Sequence, residues 1–162
     1  MVEDAGGAVR VTVYPSSGSF VLEVRGLEGT VDSVEELRTV VEEAVKELGW
    51  TWLRVEGRGT VRPYTGQGRV CDVVLRGHGT RDPVDELTKF DVGFTLGEGG
   101  RVEMFFADKS ARYATSAYRG VAEELRRAVA KYANILRVLK ALNLRPSAVQ
   151  RSREKVVVRV TM

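Results

Sequence analysis

The fold is decided by residues 90–106, which read FDVGFTLGEGGRVEMFF. Two runs of strand length, Phe90 to Leu96 and Val102 to Phe106, flank the glycine-rich link at 97–100, and such a link joins neighbouring antiparallel strands. The near-continuous apolar run from Val70 to Leu75 predicts a strand before them. The middle of the chain is therefore expected to be an antiparallel meander.

The two ends of the chain also carry strand patterns. Polar residues alternate with valines from Val9 to Val13, and after a turn-forming segment at 15–18 the alternation returns from Phe20 to Val24, which predicts a β-hairpin. Short strands are also predicted from Trp50 to Glu56 and from Lys155 to Thr161, because β-branched residues favour extended structure.

Two helices are predicted from apolar residues that recur at three- and four-residue spacing. The first begins near Val34, behind a cap at Asp32 or Ser33, and stops at Gly49. The second runs from about Ser116 to Leu142 and has one long apolar face.

The order of these elements, ββ–α–ββββ–α–β, lacks the regular βαβ alternation of a parallel sheet. It predicts one α+β domain over residues 1–162, a two-layer sandwich in which two helices cover a mostly antiparallel sheet. Residues 57–68 are expected to be a loop, because four glycines and one proline interrupt them.

Composition places the chain among ordinary globular proteins. It has 162 residues, of which 43% are hydrophobic and 29% are charged, enough to bury one core. The single cysteine, Cys71, excludes an intramolecular disulfide and is expected to pack as a small apolar group. An acidic N-terminus and the lack of ~18 consecutive apolar residues favour a cytoplasmic protein, and the preference for Arg and Glu over Asn and Gln is typical of thermophilic ones.

The charges are distributed unevenly along the chain. Residues 1–118 hold 14 Lys and Arg against 19 Asp and Glu, whereas residues 119–162 hold 11 against 3. The two parts therefore have net charges of −5 and +8, and positive potential of this kind attracts phosphate polymers or acidic protein surfaces.

Residues 58–69, RGTVRPYTGQGR, form the first candidate binding segment. Glycines let backbone N–H groups approach phosphate oxygens, arginine offers a bidentate pair of donors, and a tyrosine can stack on a base. The candidate nucleic-acid- or anion-binding residues here are Arg58, Arg62, Tyr64, Gln67 and Arg69. The alternative is a structural one, a β-hairpin connection that Gln67 and Arg69 tie to the sheet.

A second candidate segment lies on the long helix. At 100° per residue, four basic residues fall within about 60° of one another and away from the apolar face: Arg119, Arg126, Arg137 and Lys140. With the basic residues that follow them, they are expected to neutralise several phosphates. A solvated helix of a heat-adapted protein is the alternative.

Other residues suggest weaker hypotheses. Asp72 and Asp91 lie in apolar strands and, together with Arg69, would make a small-ligand enzyme site if they converged; ion pairing with Arg69 or Arg76 is the commoner explanation. Phe105 and its neighbour Phe106 are expected to pack in the core, with stacking on nucleobases as the alternative. No sequence motif indicates a metal or a cofactor.

Several short motifs carry a resemblance to a known family. They are Glu47-Leu48-Gly49-Trp50, residues 64–69 leading into Asp72-Val73-Val74-Leu75, Asp91-Val92-Gly93-Phe94, and Tyr132-Ala133. From about Val31 onward the chain resembles the hypothetical chloroplast reading frame thirty-five family, small uncharacterised proteins of plastids and cyanobacteria. It departs from that family in its longer N-terminal hairpin, in an insertion at 78–89 and at Phe105-Phe106, where tryptophans are common. The resemblance implies the fold and a cytoplasmic setting, and no activity.

The leading functional hypothesis is therefore a non-enzymatic binding or adaptor protein that engages RNA or a ribonucleoprotein through the basic loop and the basic helix. The alternative is a protein-interaction subunit, in which the acidic first helix of one molecule docks on the basic helix of another to form a homo- or hetero-oligomer.

Overall fold

The computed structural model describes residues 2–4, 8–14, 19–24, 30–50, 53–63, 67–77, 90–108, 119–143, 145–151 and 156–161. Tyr64 and the insertion at 78–89 lie outside these ranges. The strands and helices, in chain order, are β1 (Val2–Asp4), β2 (Ala8–Tyr14), β3 (Ser19–Val24), α1 (Val34–Leu48), β4 (Leu53–Glu56), β5 (Gly59–Val61), β6 (Arg69–Cys71), β7 (Val73–Gly77), β8 (Phe90–Leu96), β9 (Val102–Asp108), α2 (Arg119–Ala141), β10 (Arg145–Arg151) and β11 (Val156–Thr161).

Seven strands form the main sheet, in the order β1-β2-β3-β9-β8-β7-β4. All neighbouring pairs in it are antiparallel. The predicted meander corresponds to β7, β8 and β9, and the predicted N-terminal hairpin to β2 and β3, so both predictions are confirmed. Pairing of β3 with β9 joins the hairpin to the meander, and the predicted α+β class is confirmed.

Helix α1 begins and ends where local signals place it. Of the two predicted caps, Ser33 is the one used, since its hydroxyl accepts a hydrogen bond from the Glu36 backbone N–H at 3.2 Å. The Glu36 carboxylate accepts one in return from the Asp32 N–H at 2.8 Å, a close variant of the capping box. Gly49 ends the helix in the left-handed conformation at φ 70°, which a residue with a Cβ adopts at a cost.

The larger core lies between the two helices and one face of the main sheet. Its largest fully buried side chains are Phe94, Phe106, Leu37, Leu75, Met104 and Leu125. Alternate residues of β8 and β9 point towards this side, as the period of two requires. Burial of each such side chain stabilises the fold by roughly 1.5–3 kcal/mol.

The opposite face of the sheet is partly covered by β5 and β6, which pair with each other as a two-stranded hairpin. The prediction of a loop over residues 57–68 is therefore wrong at Gly59–Val61, which is a strand. A smaller core lies beneath this hairpin and consists of Val21, Val61, Cys71, Val74, Phe105 and Ala107. Phe105 and Phe106 thus pack in opposite cores, which confirms their predicted structural role.

The strand predicted from Val70 to Leu75 is in fact two strands, broken at Asp72. The Asp72 backbone N–H donates to the Phe94 carbonyl at 2.8 Å, and its carboxylate accepts from the Leu96 N–H at 2.8 Å. Because these bonds satisfy Asp72 at the edge of β8, the chain leaves the β5–β6 hairpin there and enters the main sheet as β7.

The C-terminal part of the chain differs from the prediction in two respects, an additional strand at Arg145–Arg151 and the sheet to which the last strand belongs. Helix α2 ends at Ala141, and Asn143 adopts a left-handed φ of 56°, a conformation that often follows the end of a helix. The last strand does not join the main sheet, however, because β11 pairs with β10 in a separate two-stranded sheet. Within the ranges described, no helix is both long enough and apolar enough to cross a membrane.

Candidate functional site

The β5–β6 hairpin is held against the sheet by a close approach at Gly93. Cys71 Sγ lies only 2.2 Å from the position that a Cβ at residue 93 would occupy, and Val61 Cγ2 lies 3.0 Å from it. Only glycine leaves room for this contact. Cys71 is buried, as predicted, and burial raises the pKa of its thiol to about 11, so that it packs as an unreactive apolar group.

Arg76 of β7 also holds the hairpin against the main sheet. Its Nη2 donates to the Thr60 carbonyl at 2.7 Å, while its Nε pairs with Glu56 at 3.0 Å and its Nη1 with Asp91 at 3.4 Å. The ion pair between Arg76 and Asp91 was one of those predicted and is confirmed. Desolvation opposes ionisation of Glu56, but the hydrogen bonds and charges of Arg54 and Arg76 outweigh it and hold the pKa of Glu56 below its ordinary value.

The two aspartates of the enzyme hypothesis are not brought together. Asp91 lies opposite Arg76 in the register of β7 and β8, whereas Asp72 lies beyond the pair Val73 and Phe94 at the other end of β7. Four residue steps of about 3.3 Å separate the two positions, or roughly 13 Å along the strands. Arg69 contacts neither carboxylate and pairs with Glu103 instead. The geometry therefore removes the acid dyad on which that hypothesis depended.

The hairpin and the residue before it carry three arginines, which we call the arginine rim: Arg58, Arg62 and Arg69. Arg58 and Arg62 are exposed, whereas Arg69 lies opposite Val61 and reaches towards the main sheet. Arg58 is 76% exposed, and its Nη1 is 4.0 Å from the Asp72 carboxylate. Arg69 is 36% exposed, lies 3.8 Å from Glu103 and places its guanidinium 4.8 Å from the centre of the Phe105 ring. Both ion pairs are long and exposed, and such pairs contribute about 1 kcal/mol or less.

Two further predicted residues belong to this region. Arg62 is exposed, and its stem and Thr60 cover Gly68 from outside, at 2.8 and 2.7 Å from the position of a Cβ there. Gln67 is also exposed. Of the two residues that the structural alternative expected to tie the loop to the sheet, Arg69 contacts Glu103 of β9. Tyr64, at the tip between β5 and β6, is outside the residues described.

The basic stripe predicted on α2 is not a free cationic surface. Lys140 donates to the Thr30 carbonyl, to Asp32 and to Glu36 at 2.8–2.9 Å. Arg126 is only 15% exposed and pairs with Glu123, which has its pKa lowered chiefly by the hydrogen bond from Arg126. These two residues therefore neutralise carboxylates of their own chain. The prediction that Arg126 faces solvent is wrong, whereas Lys140 is exposed as predicted but already ion-paired.

The angular position of Lys140 around the axis of α2 explains why it reaches the first helix. At 100° per residue, Lys140 has the same position around the helix axis as the buried Ala122, at the edge of the apolar face and beside the N-terminus of α1. Arg137 is exposed and donates to Asn134 at 2.7 Å. The side chain of Arg119 is not among those described.

Pairing of acidic α1 with basic α2 thus occurs within one molecule. Besides the contacts of Lys140, Glu47 near the end of α1 accepts hydrogen bonds from Lys131 at 2.7 Å and from the Tyr132 hydroxyl at 3.1 Å. The acid and base faces that were predicted to dock between two molecules are engaged here by the two helices of one chain.

A shallow depression of about 670 Å³ lies beside the arginine rim, at the turn between β8 and β9. Its lining residues are Thr95, Gly97, Glu98, Gly99, Arg101 and Glu103. Glu103 also pairs with Arg69, so the depression and the rim adjoin. Sequence analysis missed it; the available signal was the placement of polar Thr95 and Glu103 opposite each other on the side of the sheet away from the helices.

No group of three or more His, Cys, Asp or Glu residues is arranged to hold a metal ion in the part of the chain that the structure describes. Comparison of the chain with protein-family models gives no match, and no curated protein and no solved structure matches it either. The resemblance to the chloroplast reading frame family therefore stays a prediction.

Proposed function

We propose that this protein is a non-enzymatic binding or adaptor protein that engages RNA through the arginine rim of the β5–β6 hairpin. The observation that carries the proposal is the contrast between two kinds of arginine. Arg76 and Arg126 are withdrawn into short ion pairs, whereas the ion pairs that Arg58 and Arg69 make with the described residues are long and exposed. A phosphate can replace such weak partners at small cost, because exposed ion pairs are worth little.

Preorganisation of the hairpin supports the same proposal. The Cys71 contact with Gly93 and the bond from Arg76 to Thr60 fix the backbone from which the rim projects. A fixed hairpin loses little conformational freedom on binding, so more of the interaction free energy appears as affinity. Arginine also pairs with a phosphate through two parallel N–H donors.

The test is binding of the full-length protein to a fluorescein-labelled single-stranded RNA, followed by fluorescence anisotropy between about 50 and 200 mM salt. We expect affinity to fall with salt, and the variant Arg58→Gln/Arg62→Gln to bind more weakly with a shallower dependence. Each lost phosphate contact lowers the slope of log K against log salt by roughly 0.7, so the double variant should lose about 1.4.

The matched control is Arg127→Gln/Arg137→Gln, which removes the same charge from exposed positions on α2. It should leave the slope nearly unchanged. Equal losses in the two double variants would mean that net charge alone attracts RNA, and absence of binding at both salt concentrations would refute the proposal.

The second candidate is a protein-interaction subunit, and exposed apolar residues near the end of α2 favour it. Val138 is 55% exposed and Leu142, one helical turn later, is 61% exposed. Measuring the molecular mass in solution at several salt concentrations separates this candidate from the first, because an apolar self-association persists at high salt, where RNA binding weakens.

A further inference from the structure

We infer that the depression at the β8–β9 turn receives one unpaired base of the bound RNA and that Glu103 selects guanine there. This inference rests on the proposed function, since it takes Arg58 and Arg62 of the arginine rim to hold the phosphates while Arg69 meets the base. It names the class of ligand as single-stranded RNA with an accessible guanine.

The position of Glu103 joins the two parts of the site. Its carboxylate lies 3.8 Å from Arg69 of the rim and at the same time lines the depression. Arg69 in turn lies over the Phe105 ring, with its guanidinium carbon 4.8 Å from the ring centre. Guanidinium planes stack on unpaired bases in RNA-binding proteins. A base that leaves the strand beside the rim therefore meets Arg69 and Glu103 together.

The chemistry of a carboxylate favours guanine among the four bases. The Watson–Crick edge of guanine carries two adjacent N–H donors, which match the two oxygens of a carboxylate as the two donors of arginine do. Adenine and cytosine place a ring nitrogen acceptor next to their amino group, and uracil places carbonyls on both sides of its single N–H. Each of these edges sets an acceptor against a carboxylate oxygen.

Thr95 adds a second observation at the same place. It lies directly opposite Glu103 in the register of β8 and β9 and lines the depression. Its hydroxyl oxygen is buried and has no hydrogen-bond partner among the residues that the structure describes. Buried polar atoms are nearly always paired, so an unpaired one beside a depression is consistent with a polar ligand.

The experiment compares two labelled nine-nucleotide RNAs by fluorescence anisotropy, one of uridines only and one with a single central guanine. We expect the wild-type protein to bind the guanine-containing RNA about tenfold more tightly. The variant Glu103→Gln should lose this preference, because the amide cannot accept both donors. It should bind the all-uridine RNA as well as or better than wild type, because Arg69 is released from its partner.

Two further variants separate this role from a general effect of charge or folding. Glu124→Gln, on the exposed surface of α2, changes the net charge by the same amount as Glu103→Gln. It should leave the ratio of the affinities for the two RNAs unchanged. Thr95→Val keeps the shape of the side chain and should reduce the preference for guanine.

Equal affinity of the wild-type protein for the two RNAs, or a preference for guanine that survives in Glu103→Gln, would overturn the inference while leaving the proposed function intact. Failure to bind either RNA would overturn both.

Discussion

Gly93 allows the β5–β6 hairpin to pack closely against β8. Every other residue type would place a Cβ within 2.2 Å of Cys71 Sγ, a distance at which one of the two backbones must move. The space filled by Cys71 and Val61 is therefore available only because β8 has no side chain at this point. The same contact explains why Cys71 packs as a small apolar group and is not a reactive thiol.

We expect Gly93→Ala to lower the free energy of unfolding by about 2 kcal/mol, because overpacking of a core costs about 1–3 kcal/mol. Urea denaturation measures this change. The control is Gly120→Ala, where a Cβ meets nothing within 4 Å and the helix should become as stable or slightly more stable. If Gly93→Ala unfolds at the same urea concentration as wild type, the hairpin is not packed at this position.

Comparison of the helices and strands with their predictions shows which local sequence signals were sufficient to place an element. Ser33 and Gly49 fix the ends of α1 through their own hydrogen bonds and backbone angles, and such signals are readable without tertiary structure. The β5–β6 hairpin was missed because strands of three residues, set among glycines and Pro63, show no periodicity. Its position depends on contacts with β8, which is distant in sequence.

Charged groups at element edges were harder to predict. Lys140 has a long aliphatic stem that covers apolar surface while its ammonium group reaches Asp32 and Glu36 on the other helix. A helical projection places such a residue beside the apolar face and cannot say whether it meets solvent or a neighbouring helix. For this reason the ion pairs of Arg126 and Lys140 were not predicted, although the helix itself was predicted correctly.

Arg76 contacts Glu56 of β4, Asp91 of β8 and the Thr60 carbonyl of β5. The contribution of these contacts to the free energy of unfolding should depend on pH. The pKa of Glu56 is lower in the folded protein than its ordinary value of 4.5. A carboxyl with a lowered folded pKa stabilises the fold above its unfolded pKa and loses that contribution as the pH falls through the folded pKa. The contribution of Glu56 is therefore complete at neutral pH and disappears in the acid range below 4.5.

We expect Glu56→Gln to lower the free energy of unfolding by about 1 kcal/mol at pH 7 and to match wild type more closely as the pH falls from 5 towards 3. Denaturation at a series of pH values measures this, with Glu124→Gln as the exposed control. A difference between wild type and Glu56→Gln that is constant across the range would contradict an ionic role for Glu56.

At the scale of the whole molecule, net charge was an incomplete guide to the binding surface. The sequence places an excess of 8 positive charges in residues 119–162, yet Arg126, Lys131 and Lys140 on α2 are paired with carboxylates of the same chain. The rim arginines with weak partners, Arg58 and Arg69, lie within residues 1–118, where the net charge is negative. Composition does not reveal which charges are ion-paired in the folded state. Because these cations of α2 are paired, the hairpin is the better candidate for the binding surface.

The most direct test of this account follows the arginine side-chain Nε–H signals of the full-length protein by NMR as a short single-stranded RNA is added. The account predicts that the signals of Arg58, Arg62 and Arg69 shift together with increasing RNA, while those of Arg76 and Arg126 stay in place because their partners are retained. Shifts confined to the arginines of α2, or no shifts at all, would contradict it.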